Sequence, residues 1–147
     1  MKPTQTGGLF TQVVLEIFKV GGMLNVEGDQ LTKEFGLTSS RWKILGAVGM
    51  SPIPLTVPQI GRSMGQSRQA VQRLVDVMIK DGFLQLIDNP NHKRAKYIGV
   101  TSKAKEIYRQ LDNKQIPWAD QCSSELTKSE LETTLDVLRK ISLQLGA

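Results

Sequence analysis

Cysteine, histidine and aromatic residues are scarce in this chain, and each shortage excludes something. A single cysteine, Cys122, cannot support an intrachain disulfide framework. The single histidine, His92, stands thirty positions from that cysteine, and no carboxylate pair, phosphate-binding glycine loop or metal-ligand spacing accompanies either. Catalysis is therefore not expected, and no cofactor or metal is expected either. Aromatics are only 5% of the 147 residues and charged residues 22%, a balance suited to helices with broad solvated faces. No apolar run approaches the roughly 20 residues that cross a bilayer. The polar start Met1-Lys-Pro-Thr-Gln-Thr-Gly-Gly also lacks the apolar stretch of a signal peptide. No membrane partner is expected, and the cytoplasm is the natural compartment. At this length a single domain over 1–147 can bury a core without staples.

What the chain does carry is localised positive charge. The net charge is +5, yet residues 59–110 hold ten Lys/Arg against four Asp/Glu, and the remainder is nearly balanced. Basic residues concentrated in this way attract a polyanion through phosphate neutralisation and counterion release. A solvated basic face is the plainer reading of the same charge.

Hydrophobic periodicity organises the rest. Phe10, Val13, Ile17, Val20 and Leu24 form one stripe of a long first helix, where Gly21, Gly22 and Gly28 predict a kink or fraying. Gly36 closes that region. Thr38 or Ser39 can cap a second helix through Trp42, Ile44, Leu45 and Val48, before Pro52 and Pro54 force a loop. Thr56-x-x-Gln59 has capping-box spacing for a third helix, with Val57, Ile60 and Met64 inward and Gly65 as its breaker. Ser67 caps a fourth helix with the stripe Ala70, Val71, Leu74, Val77 and Met78, and Gly82 stops it. Residues 83–87 and 96–100 read as strands joined by a long charged tip with Asn89-Pro90-Asn91 turn chemistry. A fifth helix from Thr101 or Ser102 carries Ile107, Leu111, Trp118 and Cys122 on one side, with Pro117 kinking or dividing it. Thr127-x-x-Glu130 opens a last helix with Leu131, Leu135, Leu138, Ile141 and Leu145 in line.

The order α-α-α-α-β-β-α-α contains a helix-turn-helix followed by a hairpin wing. The expected fold class is mainly α (α+β): a winged helix-turn-helix core over about 38–101, flanked by helices over about 9–35 and 102–147. The terminal stripes exceed what such a core needs, and a second copy of the chain is the economical cover for them.

Two clusters have polar side chains with no evident structural task. Ser67, Arg68, Gln69, Gln72 and Arg73 open the fourth helix, with the last four projecting away from its apolar stripe. Arg can fork onto guanine O6 and N7, and Gln onto adenine N6 and N7. At the wing tip, His92, Lys93, Arg94 and Lys96 place four potential cations in five residues, suited to phosphates or a narrow minor groove. Ordinary solvated helix residues and strand-edge lysines are the competing explanations. Double-stranded DNA is the partner these clusters imply.

The pieces Leu37-Thr38-x-x-x-Trp42-x-Ile44-Leu45, Ser67-Arg-Gln-Ala-Val-Gln-Arg-Leu-Val75, Lys80-Asp-Gly-Phe-Leu84, and Lys93-Arg94-Ala95 followed by Val100-Thr101 together resemble the MarR family of winged-helix transcriptional regulators. The resemblance covers residues 38–111 in detail and the helical order throughout. It implies a homodimer joined through the first and last two helices, a pseudo-palindromic operator, and often release by a small-molecule effector or an oxidant. It is consistent with a repressor. The family's wing commonly has an aspartate two residues before the tip arginine, where this chain has His92, leaving Asp88 as the available partner for an ion pair. His92 could touch phosphate when protonated, or have no role. Peroxide-sensing relatives carry a reactive cysteine near the N-terminus, and this chain has none there. Cys122 is expected instead to be a buried, inert thiol. Met23, Trp42 and Trp118 could line an effector pocket, with plain core packing as the alternative. Two other functions compete with a regulator: an enzyme, and a winged-helix module for protein–protein contact or non-specific DNA compaction.

Overall fold

The computed structural model describes residues 1–146, arranged in two compact units. The first, residues 1–42, is dominated by helix α1, Gln5–Thr32. The Thr4 hydroxyl accepts from the Gly7 N–H at 3.0 Å and starts it. At 1.5 Å per residue the helix is about 42 Å long. The expected weakening at Gly21-Gly22 does not break it. Glycine lowers helix propensity but removes no backbone donor, so the ladder continues. Gly28 has a packing role in place of the expected fraying, since a Cβ there would lie 2.7 Å from Ser39 Oγ. The Thr32 hydroxyl, fully buried, shares its one proton between Gly28 O at 2.8 Å and Leu37 O at 3.0 Å. Asp29 Oδ1 accepts from the Ser39 N–H at 2.7 Å. A single 3₁₀ turn, Lys33–Phe35, and Gly36 at φ 69° complete this corner. Helix α2, Ser39–Gly49, begins with Thr38 Oγ1 accepting from the Arg41 N–H at 3.2 Å.

One expectation about α1 needs correction. By length and composition, the helical stretch Gln5–Phe35 is apolar enough to cross a membrane. Tracing a single stripe missed this, because Leu15, Phe18, Met23 and Val26 add exposed apolar surface beside Phe10, Val13 and Val20. Glu16 and Lys19 lie within the same stretch. A charge at a bilayer centre costs about 2.5–3.5 kcal/mol on insertion scales, which disfavours lipid as the cover.

The second unit, from Lys43 onward, holds the winged core. Helix α3 (Val57–Met64) and helix α4 (Arg68–Lys80) are followed by strands β1 (Leu84–Ile87) and β2 (Tyr97–Val100), then helices α5 (Ser102–Cys122) and α6 (Lys128–Gln144). The strands pair antiparallel, Leu84 with Val100 through Ile87 with Tyr97. Leu55 joins them through a bridge in which the Ile98 N–H donates to Leu55 O at 2.8 Å. Ile44, Leu45, Ile60, Val71, Val75, Met78, Leu84 and Leu111 are fully or almost fully buried in this unit. On α4 Val75 is buried together with Val71 and Met78, whereas Val77, assigned inward from the sequence, is 42% exposed. Residues 71, 75 and 78 follow the three-four spacing of one narrow stripe, and position 77 falls beyond its edge.

α4 ends in a Schellman turn: the Phe83 N–H reaches Met78 O at 2.8 Å, and Gly82 takes φ 81°. The Thr101 hydroxyl donates to Gly82 O at 2.7 Å and accepts from the Ala104 N–H at 3.2 Å, tying α5 to that corner. Pro117 does not divide α5, which continues to Cys122. A proline deletes one backbone bond, and the turns on either side hold. Cys122 is exposed, not buried. The buried residues of α5 end at Leu111, and beyond it only Asp112, Gln115, Trp118 and Ala119 are half-buried, the rest of the helix being exposed. α6 likewise has no buried residue, and Leu131, Leu135 and Leu138 are 43%, 48% and 40% exposed.

Candidate nucleic-acid interface

The corner between α3 and α4 is specified locally. Thr56 donates to Gln59 Oε1 from its N–H at 2.8 Å and from its hydroxyl at 3.2 Å, holding the first turn of α3. Gly65 at φ 64° ends it. The Gln66 N–H folds back onto Gly61 O at 2.9 Å, so close that a Cβ on Gly61 would stand 2.9 Å from Gln66 O. Ser67 Oγ then accepts from the Ala70 N–H at 3.1 Å and launches α4. Backbone close approach and one side-chain cap thus set the direction of the helix that carries the candidate reading residues.

Arg68, Gln69, Gln72 and Arg73 are all exposed, while Val71, Val75 and Met78 are buried. Spacings of four place Arg68 with Gln72 and Gln69 with Arg73 in two neighbouring rows. A groove of about 410 Å³ runs beside the first row and is lined by Thr56, Val57 and Pro58 at the start of α3, by Arg68 and Gln72, and by His92, Arg94, Ala95 and Lys96 of the wing. Leu86 and Ile98 complete its wall. Arg68, Gln72, His92, Arg94 and Lys96, predicted from separate segments, therefore face one space. Ser67, Gln69, Arg73 and Lys93 are exposed but do not line it.

The wing tip is held by side chains that sequence reasoning passed over. Asn89 Nδ2 donates to Ala95 O at 2.9 Å, and Asn89 Oδ1 accepts from the Asn91 N–H at 3.0 Å. The Asn-Pro-Asn turn signal contained this residue, and only the hairpin register shows that it spans the loop. His92 is neither idle nor simply a cation: Nδ1 accepts from the Ala95 N–H at 3.1 Å and closes the tip. An accepting Nδ1 leaves Nε2 to carry the ring proton. Asp88 pairs with Lys96, and this hydrogen bond and charge hold the Asp88 carboxyl below its ordinary range. The wing-internal ion pair thus forms with Lys96, so Asp88 already offsets one of the four predicted cations. Gln72 also has a partner, donating from Nε2 to Asp76 Oδ1 at 2.8 Å.

The candidate effector-pocket residues are divided between the units. Met23 is 59% exposed and Trp42 half-buried in the first, and Trp118 is half-buried in the second.

Chemically, the surface combines an exposed helix N-terminus bearing Arg and Gln, a groove beside it, and a basic loop that shares the groove's lining. It offers hydrogen-bond donors in a fork and cations without a deeply buried titratable group. Such a surface fits the edges and phosphates of a duplex.

Comparison with known proteins agrees with this architecture. Residues 35–95 match the family model described as the MarR family. A functionally uncharacterised protein of Mycobacterium tuberculosis is 28% identical over 136 residues, covering 92% of this chain and 94% of its own length. A MarR/EmrR family transcriptional regulator from Acinetobacter sp. ADP1 shares the fold at a TM-score of 0.82 and 19% identity, over 93% of this chain and 96% of that one. CouR from Rhodococcus jostii RHA1, solved bound to p-coumaroyl-CoA, does so at 0.78 and 16% identity, over 88% and 91%.

Proposed function

We propose that the chain, whose residues 35–95 match the MarR family model, is a transcription regulator of that family and acts as a homodimeric repressor reading a pseudo-palindromic operator in double-stranded DNA. The observation that carries the proposal is the shared groove, where Arg68 and Gln72 of α4 meet His92, Arg94 and Lys96 of the wing. α4 enters the major groove with Arg68, Gln69, Gln72 and Arg73 toward base edges, and Ser67 at its cap. The wing, with Lys93 beside the groove-lining residues, follows the backbone or the adjacent minor groove. In a two-fold dimer the two α4 helices reach major grooves about one helical turn, roughly 10 base pairs, apart.

Dimerisation accounts for the apolar faces of α1 and α6 that a single chain leaves open. That CouR binds p-coumaroyl-CoA supports a small-molecule effector for this chain as well. The chain is assigned no catalytic step, and it works in the cytoplasm where its operator lies.

Binding-site selection with the parent and with alanine variants of Arg68, Gln69, Gln72 and Arg73 tests the central claim. Each true base contact contributes about 1–3 kcal/mol of discrimination per half-site, so at least one variant should relax a defined position in both halves. If all four return the parent's base preferences, α4 is not the reading element. Equal affinity for operator and scrambled duplex would favour non-specific compaction, since a regulator prefers its site by roughly 10³ or more.

A further inference from the structure

Gln72 carries a direction as well as a position. Its Nε2 donates to Asp76 Oδ1 at 2.8 Å, one turn further along the exposed face of α4. A carboxylate only accepts hydrogen bonds, so Asp76 selects the nitrogen end of the amide and turns Oε1 away from itself. The other Nε2 hydrogen is left beside Oε1. Gln72 borders the groove that Arg68 and the wing also line, so the outward end of its amide is presented where a base edge would lie.

We infer that Asp76 is a positioning residue, committing Gln72 to adenine, the base whose major-groove edge engages both the outward Oε1 and the remaining Nε2 hydrogen. The inference rests on the proposed role of α4 and gives that role a chemical preference. Adenine N6 and cytosine N4 can donate to the outward Oε1, and adenine N7 can also accept the remaining Nε2 hydrogen. Guanine O6 and thymine O4 would set lone pair against lone pair at Oε1 and can take only the remaining Nε2 hydrogen, so adenine alone engages both outward ends of the amide. A reversed amide would relieve that clash, but it would turn Oε1 onto the Asp76 carboxylate. An exposed pair at this spacing is weak in water. Covering it with DNA lowers the local dielectric, so both the hydrogen bond and the cost of reversing it grow.

The experiment compares the parent protein with Gln72→Ala, Asp76→Asn and Asp76→Glu. Binding-site selection finds the position that depends on Gln72, and affinities are then measured on four operators differing only there. The parent should favour adenine over guanine or thymine by roughly tenfold. Gln72→Ala should erase that ratio. Asp76→Asn can donate from its own amide to Oε1, which permits the reversed Gln72, so the ratio should fall to within about threefold. Asp76→Glu accepts only and should keep most of the parent's ratio. Removing the Asp76 charge also tightens binding to DNA, but equally on all four operators, so the ratio isolates the amide's direction. The inference is overturned if Asp76→Asn keeps the parent's ratio, or if the Gln72-dependent position selects a base other than adenine. If Gln72→Ala changes no position at all, the base-reading role of Gln72 fails first and the inference falls with it.

Discussion

Replacing Arg94 with alanine separates what the wing contributes from what α4 reads. Arg94 is exposed and lines the groove opposite Arg68 and Gln72, while Asp88 is engaged by Lys96. In the proposed dimer the substitution removes one cation from each of two wings. Each neutralised phosphate contributes about 0.9 to the slope of log affinity against log salt, so two lost contacts should flatten the slope by roughly 1.8. Between 50 and 200 mM salt, those two contacts account for about a twelvefold loss of parental affinity that the variant should not show. The weakening should be the same on operator and scrambled duplex, because phosphate contacts carry no base information. Lys96→Ala should do less, since Asp88 already competes with phosphate for that ammonium. Fluorescence anisotropy on both duplexes over a salt series measures all of this. A variant that binds the scrambled duplex as tightly as the parent, at low and at moderate salt, would refute the wing's assignment.

Other consequences can be checked separately. Deleting residues 127–147 removes a helix with no buried residue of its own, so the product should keep its winged core yet sediment as a monomer at micromolar concentration. A truncated protein that remains dimeric would remove α6 from the interface. Gly61→Ala should destabilise by about 1–2 kcal/mol in urea unfolding, because the new methyl would press on Gln66 O and overpacking outweighs the gain in helix propensity. A more stable variant would show that the α3–α4 turn yields freely. The Glu130 carboxyl lies below its ordinary range because the Thr127 N–H and hydroxyl both donate to it. Its depressed folded-state value means the cap's contribution is complete above the ordinary glutamate range and fades as pH falls through the lowered value. NMR titration should show Glu130 moving part of the way back up in Thr127→Ala, which keeps the backbone donor, and an unchanged titration would deny the hydroxyl's share.

The parts of this molecule that could be read from sequence are those fixed within a turn of the chain. Thr56 with Gln59, Gly65, Ser67, Gly82 and Thr127 with Glu130 each satisfy or terminate a helix end using neighbours three or four residues away, and each is found in that role. What escaped depends on longer separations or on a partner's identity. Gly28 looked like a weak point because its reason for being small, Ser39, lies eleven residues away. The tip bonds from Asn89 to Ala95 and from Ala95 to His92 required the hairpin register before they could be seen. The candidate site divides in the same way. That Arg68, Gln69, Gln72 and Arg73 would be exposed followed from period alone, but which row meets the wing did not. One miss has a different origin. Asp76 stands at the helical spacing from Gln72 that sequence reasoning uses routinely, and it was overlooked because a search for cations ignores a lone acid. A basic surface attracts DNA of any sequence, so the residues that distinguish one base from another are better sought where a negative or neutral group restrains a side chain already aimed at the groove. By that argument Gln72 with Asp76 should prove more informative about the operator than any of the cations around it.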